Sequence, residues 1–241
     1  MAGQLDAQRC NLAPDDGPIP RTLKFVRAKL SAWRDDPKRT QAITEKALNS
    51  SLCTFLDVCA RNELPMARFT HEFPQGKSHS VDIGVHGTEE TTLIGAQLHS
   101  IYEPFLLIEA KRLPAPSKDR QCEYVTGTKK PKGGIQRFKL GHHGSDHDTA
   151  AIVGYIQEHT AEHWYSTINS WIDELADKKN HAEGTWTKSE QLHGFEYDAK
   201  SCTSTANSNH QRIERCRSRS IRLHHLWVVM QTQATSSKSK K

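Results

Sequence analysis

Between Thr40 and Arg61 the apolar residues Leu48, Leu52, Phe55, Leu56 and Cys59 recur at i, i+4, i+7, i+8 and i+11. At 3.6 residues per turn they form one stripe, which predicts a helix. Trp164, Ile168, Trp171 and Leu175 repeat the pattern within His159 to Ala176 and predict another. Shorter helices are expected over Thr22 to Trp33, stopped before Asp35-Asp36-Pro37 because a residue preceding proline is pushed out of helical geometry, and over Ile135 to Leu140 after Gly133-Gly134. Strands are expected over Met66 to Phe73 and Ser80 to His86, reversing at Pro74-Gln75-Gly76-Lys77. Pro104 to Lys111 is a near-continuous apolar run, as in a strand buried on both faces, and is the candidate centre of a sheet. Thr149 to Gln157 and Ser220 to Met230 predict further strands, while Thr91 to His99 is either a strand or part of an insertion. Residues 1–20 read as a disordered leader or arm, Arg112 to Lys132 as a loop, 177–210 as a polar loop or insertion, and 232–241 as a basic disordered tail. What remains, 21–231, reads as a single α/β domain with a mixed central sheet flanked by helices.

Composition narrows the class. The 241 residues are 35% hydrophobic, enough for one compact core. No run approaches the roughly 18 uninterrupted apolar residues of a membrane span, and Met1 to Asp16 lacks the pattern of a signal peptide, so neither a membrane protein nor a secreted one is expected. The 33 Lys and Arg exceed the 28 Asp and Glu by a net charge of only +5, but the basic residues gather in Arg21 to Arg39, Lys118 to Lys139 and Asn209 to Lys241. Such stretches suit a polyanionic partner, or are solvated faces and tails. The six cysteines include no C-x-x-C pair and read as reduced thiols of a cytoplasmic protein.

The chemistry concentrates in three segments. Alternation along Val81-Asp82-Ile83-Gly84-Val85 places Asp82 on the face opposite its apolar neighbours. On the central strand Glu109 and Lys111 share one face, with Leu106, Ile108 and Ala110 on the other. Glu45 lies three, seven and eleven residues before Leu48, Leu52 and Leu56, which sets it within the apolar stripe, while Lys46 faces solvent. Buried charges need each other, a metal or a substrate. Three carboxylates and a lysine on converging elements suit hard divalent cations.

This order of elements and residues resembles the PD-(D/E)xK nuclease superfamily, whose restriction-endonuclease-like core carries an acid on its first helix, an acid on its second strand and (D/E)-x-K on its third. Glu45, Asp82 and Glu109-Ala110-Lys111 fill those places, and the resemblance spans about residues 40–157. Val81 stands where the motif has its proline. Asp36-Pro37-Lys38, Asp177-Lys178-Lys179 and Asp198-Ala199-Lys200 match the tripeptide equally well, but none ends an apolar strand. The resemblance implies that Asp82, Glu109 and the Ala110 carbonyl bind Mg²⁺, with Mn²⁺ able to substitute, and that Glu45 holds a second ion or its waters. Lys111 would orient the attacking water or steady developing charge. The implied activity is phosphodiester hydrolysis by a cytoplasmic endonuclease, DNA favoured, in restriction or antiviral defence, with repair the nearest competitor. Partners implied are nucleic acid and a second copy or other defence or repair proteins. Gln136, Arg137 and Lys139 fall where the family's second helix faces its cleft, as phosphate grips or as a merely basic surface. Tyr155 and Gln157 would line the cleft or pack. Gln121-Cys122-Glu123-Tyr124 is one residue short of the RecB-like Q-x-x-x-Y box.

Other readings stay open. Lys111 with Glu109 or Asp82 could be a structural ion pair. A non-catalytic nucleic-acid-binding module on the same fold would use the basic stretches alone. Gly141 to Asp148 loosely resembles the zinc box of metallo-β-lactamase-like hydrolases, but Gly144 stands where a ligand histidine is required; a solvated or nucleic-acid-contacting loop is the other reading. His71, His79, His86, His224 and His225 read as strand-surface residues.

Overall fold

The computed structural model describes residues 17–39, 41–76, 79–127, 132–178 and 185–231. Most of the expected leader and all of the expected tail lie outside them. The leader's last residues are helical: α1, Pro18–Asp35, begins with Pro18 and Pro20 in its first turn, where a missing N–H costs nothing. Helix α2, Glu45–Glu63, buries Leu48, Leu52, Cys53, Leu56 and Ala60.

The hairpin is present as β1, Ala67–Gln75, and β2, His79–Gly87. Residues 91–100 form a second hairpin, β3, Thr91–Ile94, and β4, Gln97–Ser100, in a sheet of their own. Then come β5, Leu106–Leu113, α3, Gly134–Lys139, β6, Thr149–Ile156, and α4, Ala161–Asp177. Strands β7, His193–Asp198, β8, Thr203–Gln211, and β9, Ser220–Val229, close the described chain. The seven-stranded sheet has the order β1-β2-β5-β6-β9-β8-β7. Its centre, β5-β6-β9, is parallel and its flanks are antiparallel. Helices α1 and α2 cover one face over Ile108, Ala110, Val153 and Tyr155. Helices α3 and α4 cover the other over Leu107, Ile152, Ile156 and Trp227. Helices on both faces explain why β5 and β6 read as continuous apolar runs.

Four expectations need correction. Residues 177–210 are not simply a loop, since β7 and β8 lie within them. Strand β8, Thr-Ser-Thr-Ala-Asn-Ser-Asn-His-Gln, has almost no aliphatic residues. It is held by its ladder to β9 and by buried hydrogen bonds between the Ser208 hydroxyl and His210 Nε2 (2.7 Å) and His225 Nε2 (2.8 Å). Residues 112–132 are not all loop either. Strand β5 runs on to Leu113, and a short 3-10 helix, Lys118–Tyr124, follows it. It buries Tyr124, whose hydroxyl meets His225 Nδ1 at 2.7 Å and accepts Trp227 Nε1 at 2.8 Å. His86 and His225 are therefore not strand-surface residues; both are buried.

The fourth correction bears on the site. Val81 does not share a face with Ile83 and Val85: it packs beneath α3 and α4, whereas they pack beneath α1 and α2. The alternation breaks at Asp82. Opposite it, Glu72 takes a φ of +53°, a left-handed conformation uncommon outside glycine, and the β1–β2 pairing skips that position. Pairing of β2 with β5 covers only Val85, Gly84 and Ile83. Beyond Ile83 the two strands part.

Candidate active site

The parting of β2 and β5 is where the predicted residues meet. Asp82 Oδ2 accepts the Ala110 N–H at 2.7 Å, a side chain replacing the strand bond that the gap removes. From the first turn of α2, Glu45 reaches across with Oε1 3.0 Å from Lys111 Nζ and Oε2 3.2 Å from the Arg112 N–H. Lys111 Nζ also lies 3.0 Å from Glu109 Oε1 and 3.2 Å from the Ala110 carbonyl. Glu109 and Lys111 are the floor, 1% and 6% exposed; half-buried Asp82 and Glu45 form the mouth. Lys46 points to solvent, 3.3 Å from Glu72.

Burial and charge compete here. Asp82 is pushed up to about 7, by desolvation first and then by the Glu109 charge. Burial also works to raise Glu109, but Lys111 foremost among its neighbours outweighs this and holds it at about 2. For Lys111, burial is overcome by Glu109, Glu45 and Asp82, which keep the ammonium well above its ordinary value. The pocket is an alternation of charges rather than a bare carboxylate cluster.

The three candidates of α3 separate. Arg137 Nη1 binds Glu109 Oε1 at 2.9 Å, so it belongs to the site. Gln136 does not reach a cleft: it is fully buried, and its Oε1 accepts the N–H groups of Gly127 (3.0 Å) and Gly133 (3.4 Å), tying down the entry to α3. Lys139 is not available to phosphate either. It is buried against Glu190, donates to the Gln211 carbonyl and sits 4.6 Å from the centre of a Trp186 ring. Facing opposite sides of one short helix, Arg137 and Lys139 could not both serve the cleft.

Further residues surround the site, among them Tyr155 and Gln157, which were expected to line the cleft or pack. Gln157 bridges Arg112 Nε (2.8 Å) and the Ile43 carbonyl (3.1 Å), fixing the approach to Glu45. Tyr155 packs on Trp33, ring centres 5.5 Å apart. Gly134 lets α3 lie close over β5: a Cβ there would fall 3.0 Å from the Tyr124 carbonyl and 3.6 Å from Lys111 Cγ. The Gly141 to Asp148 segment is not a solvated loop throughout. His147 Nε2 is 2.9 Å from the Pro104 carbonyl, and His143 is buried above Glu109, where burial lowers its pKa to about 4.

Among the described residues no three His, Cys, Asp or Glu side chains are grouped to hold an ion by themselves. Glu109 Oε1 is turned to Lys111 and Arg137, and Asp82 to Ala110. The donors nevertheless suit a hard cation: Glu109 Oε2 is buried without a hydrogen-bond partner, and carboxylate and carbonyl oxygens are what Mg²⁺ and Mn²⁺ take. A groove of about 790 Å³ beside the start of α1 and the β3–β4 hairpin does not include these residues. The five described cysteines are free, and no described helix is long and apolar enough to cross a membrane. Comparison with protein-family models, with curated proteins and with solved structures gives no match to this chain.

Proposed function

We propose that this chain is a divalent-metal-dependent nuclease of the PD-(D/E)xK kind, hydrolysing phosphodiester bonds in DNA. The observation that carries the reading is the convergence of Glu45, Asp82, Glu109 and Lys111, from α2, β2 and β5: Asp82 and Lys111 meet the peptide of Ala110, and Glu45 and Glu109 meet the Lys111 ammonium. Four charged side chains brought into one gap between parting strands are costly unless the gap has work to do. Resemblance to the superfamily supports DNA over RNA, Mg²⁺ or Mn²⁺ as the ion, and a role in restriction or defence within the cytoplasm.

Asp82, Glu109 and the Ala110 carbonyl would hold the ion and Glu45 a second one or its waters. Bound there, the ion would neutralise the scissile phosphate and make water more acidic. The protein's share is positioning. Lys111 stands within reach of Glu45, Glu109 and the Ala110 carbonyl, so its ammonium can orient a water or steady developing negative charge. Arg137 fixes Glu109 from the opposite side and offers a cation to phosphate oxygens at the half-buried rim.

A cleavage time course tests this on supercoiled, linear duplex and single-stranded DNA with Mg²⁺, Mn²⁺, Zn²⁺ or EDTA. Cutting should need Mg²⁺ or Mn²⁺ and fall at least about a hundredfold in Lys111→Ala and Asp82→Asn. Salt-sensitive binding without cleavage, equal in wild type and both variants, would replace the enzyme with a binding module whose Lys111 pairs are structural.

A further inference from the structure

After α3 the chain turns back across the sheet through residues 141–148. Arg212 holds this turn, donating to the carbonyls of Phe138 (3.1 Å), Gly144 (2.8 Å) and His147 (2.6 Å). The Gly144 N–H is tied to Gln75 Oε1 at 2.9 Å. Gly144 has a φ of +58°, so a glycine carries the reversal. The turn sets His143, 0% exposed, against Phe138, with Nδ1 3.7 Å from Glu109 Oε2.

That separation is too long for a hydrogen bond. Among the described residues neither ring nitrogen of His143 has a hydrogen-bond partner, and neither does Glu109 Oε2. Buried polar atoms nearly always have partners. Here unpaired atoms on two different elements face each other, and both can donate an electron pair. The imidazole's own N–H would satisfy the carboxylate only at hydrogen-bond distance, which 3.7 Å exceeds; across that gap a cation satisfies a carboxylate oxygen and an imidazole lone pair together. Imidazole is a ligand for transition ions and a poor one for Mg²⁺, while Mn²⁺ accepts both oxygen and nitrogen donors.

We propose that His143 is a ligand of the active-site ion together with Glu109, and that this imidazole–carboxylate pair makes the site select Mn²⁺ over Mg²⁺. The inference rests on the metal-dependent reading for the presence of an ion, and adds a ligand and a preference which that reading does not supply.

The test is electron spin-echo spectroscopy of Mn²⁺ bound to the full chain, with Mn²⁺ and Mg²⁺ affinities measured by calorimetry. The expected result is ¹⁴N modulation from one directly bound imidazole, lost in His143→Gln. Mn²⁺ affinity should fall at least about tenfold in that variant while Mg²⁺ affinity changes little. Circular dichroism checks that His143→Gln is folded. If it is not, His79→Asn and His142→Asn carry the test, since they leave His143 in place and must retain the modulation. Mn²⁺ bound without ¹⁴N modulation, or modulation that survives in folded His143→Gln, overturns the ligand and leaves the nuclease reading standing. No Mn²⁺ bound, with no cleavage, overturns both.

Discussion

An ammonium only 6% exposed keeps its charge if its donors are met, and Lys111 meets Glu45, Glu109 and the Ala110 carbonyl. Truncating it leaves buried Glu109 with Arg137 alone. Removing one partner of a buried pair costs about 3–5 kcal/mol. Lys111→Ala should therefore lose stability on that order in urea unfolding, and a loss below about 1 kcal/mol would mean that solvent replaces the lysine. Asp82 should behave in the opposite sense. Its folded pKa of about 7 lies above an unfolded value near 4, so the folded state binds the proton more tightly. The contribution to stability is full below about pH 4, declines as pH rises toward 7, and is a penalty above it. Asparagine keeps an acceptor for the Ala110 N–H and removes the charge. Metal-free Asp82→Asn should thus be more stable than wild type at pH 8, by about 1–3 kcal/mol after allowance for its half-exposed position. The difference should close near pH 4. Equal stability of the two proteins at pH 8 would show that neither burial nor the Glu109 charge penalises the ionised Asp82 carboxylate. Such a gain, at the expense of cleavage, is what a site holding like charges together would produce.

The elements that deliver these residues depend on close backbone contacts as much as on side chains. A Cβ on Gly133 would lie 2.2 Å from Thr126 Cα and 2.4 Å from the Val125 carbonyl, and backbone cannot yield as a flexible side chain can. Gly133→Ala should lower stability by several kcal/mol and shift α3, withdrawing Arg137 from Glu109; hydrogen exchange over residues 124–140 would report it. Unchanged protection there would refute the crowding. Helix α2 and strand β5 were legible in the sequence because each signals itself through an apolar period or run, and Glu45, Glu109 and Lys111 came with them; Asp82 came with strand β2, expected from its alternation. Strand β8 was not legible, because its burial is secured by Ser208, His210 and His225 across strands, and no local period encodes partners so far apart in the chain. Gln136 and Lys139 were misread because a basic hexamer does not say which side faces the sheet. His143 was misread because Gly141 to Asp148 resembles a solvated loop until Arg212, distant in sequence, is seen to hold it down.

For the molecule as a whole, the histidines set the response to acid. His86 and His143 are held at about 4 and His225 at about 3, each by burial first, and His210 is driven well below its ordinary value by the same cause. All four are buried on or beside the central sheet. In the unfolded chain each titrates near 6.5. Between that pH and about 4 the unfolded state takes up protons that the folded state refuses, so stability falls as pH falls. A shift of this size is worth up to about 3 kcal/mol per histidine, against a total stability on the order of 5–15 kcal/mol. The fold should therefore fail before carboxylates of ordinary pKa titrate, Asp82 at about 7 being the exception, with a midpoint between about pH 4 and 6. Protonation of Asp82 favours the folded state over the same range, but one carboxylate does not offset four imidazoles. The check is near-ultraviolet circular dichroism, with tryptophan fluorescence for buried Trp33 and Trp227, followed from pH 8 to pH 3. A cooperative loss in that window, with proton uptake of more than one per molecule, is expected. Native signals persisting at pH 3.5 would mean that the buried imidazoles accept protons where they stand, and that the Tyr124–His225–Ser208–His210 chain can rearrange to carry charge.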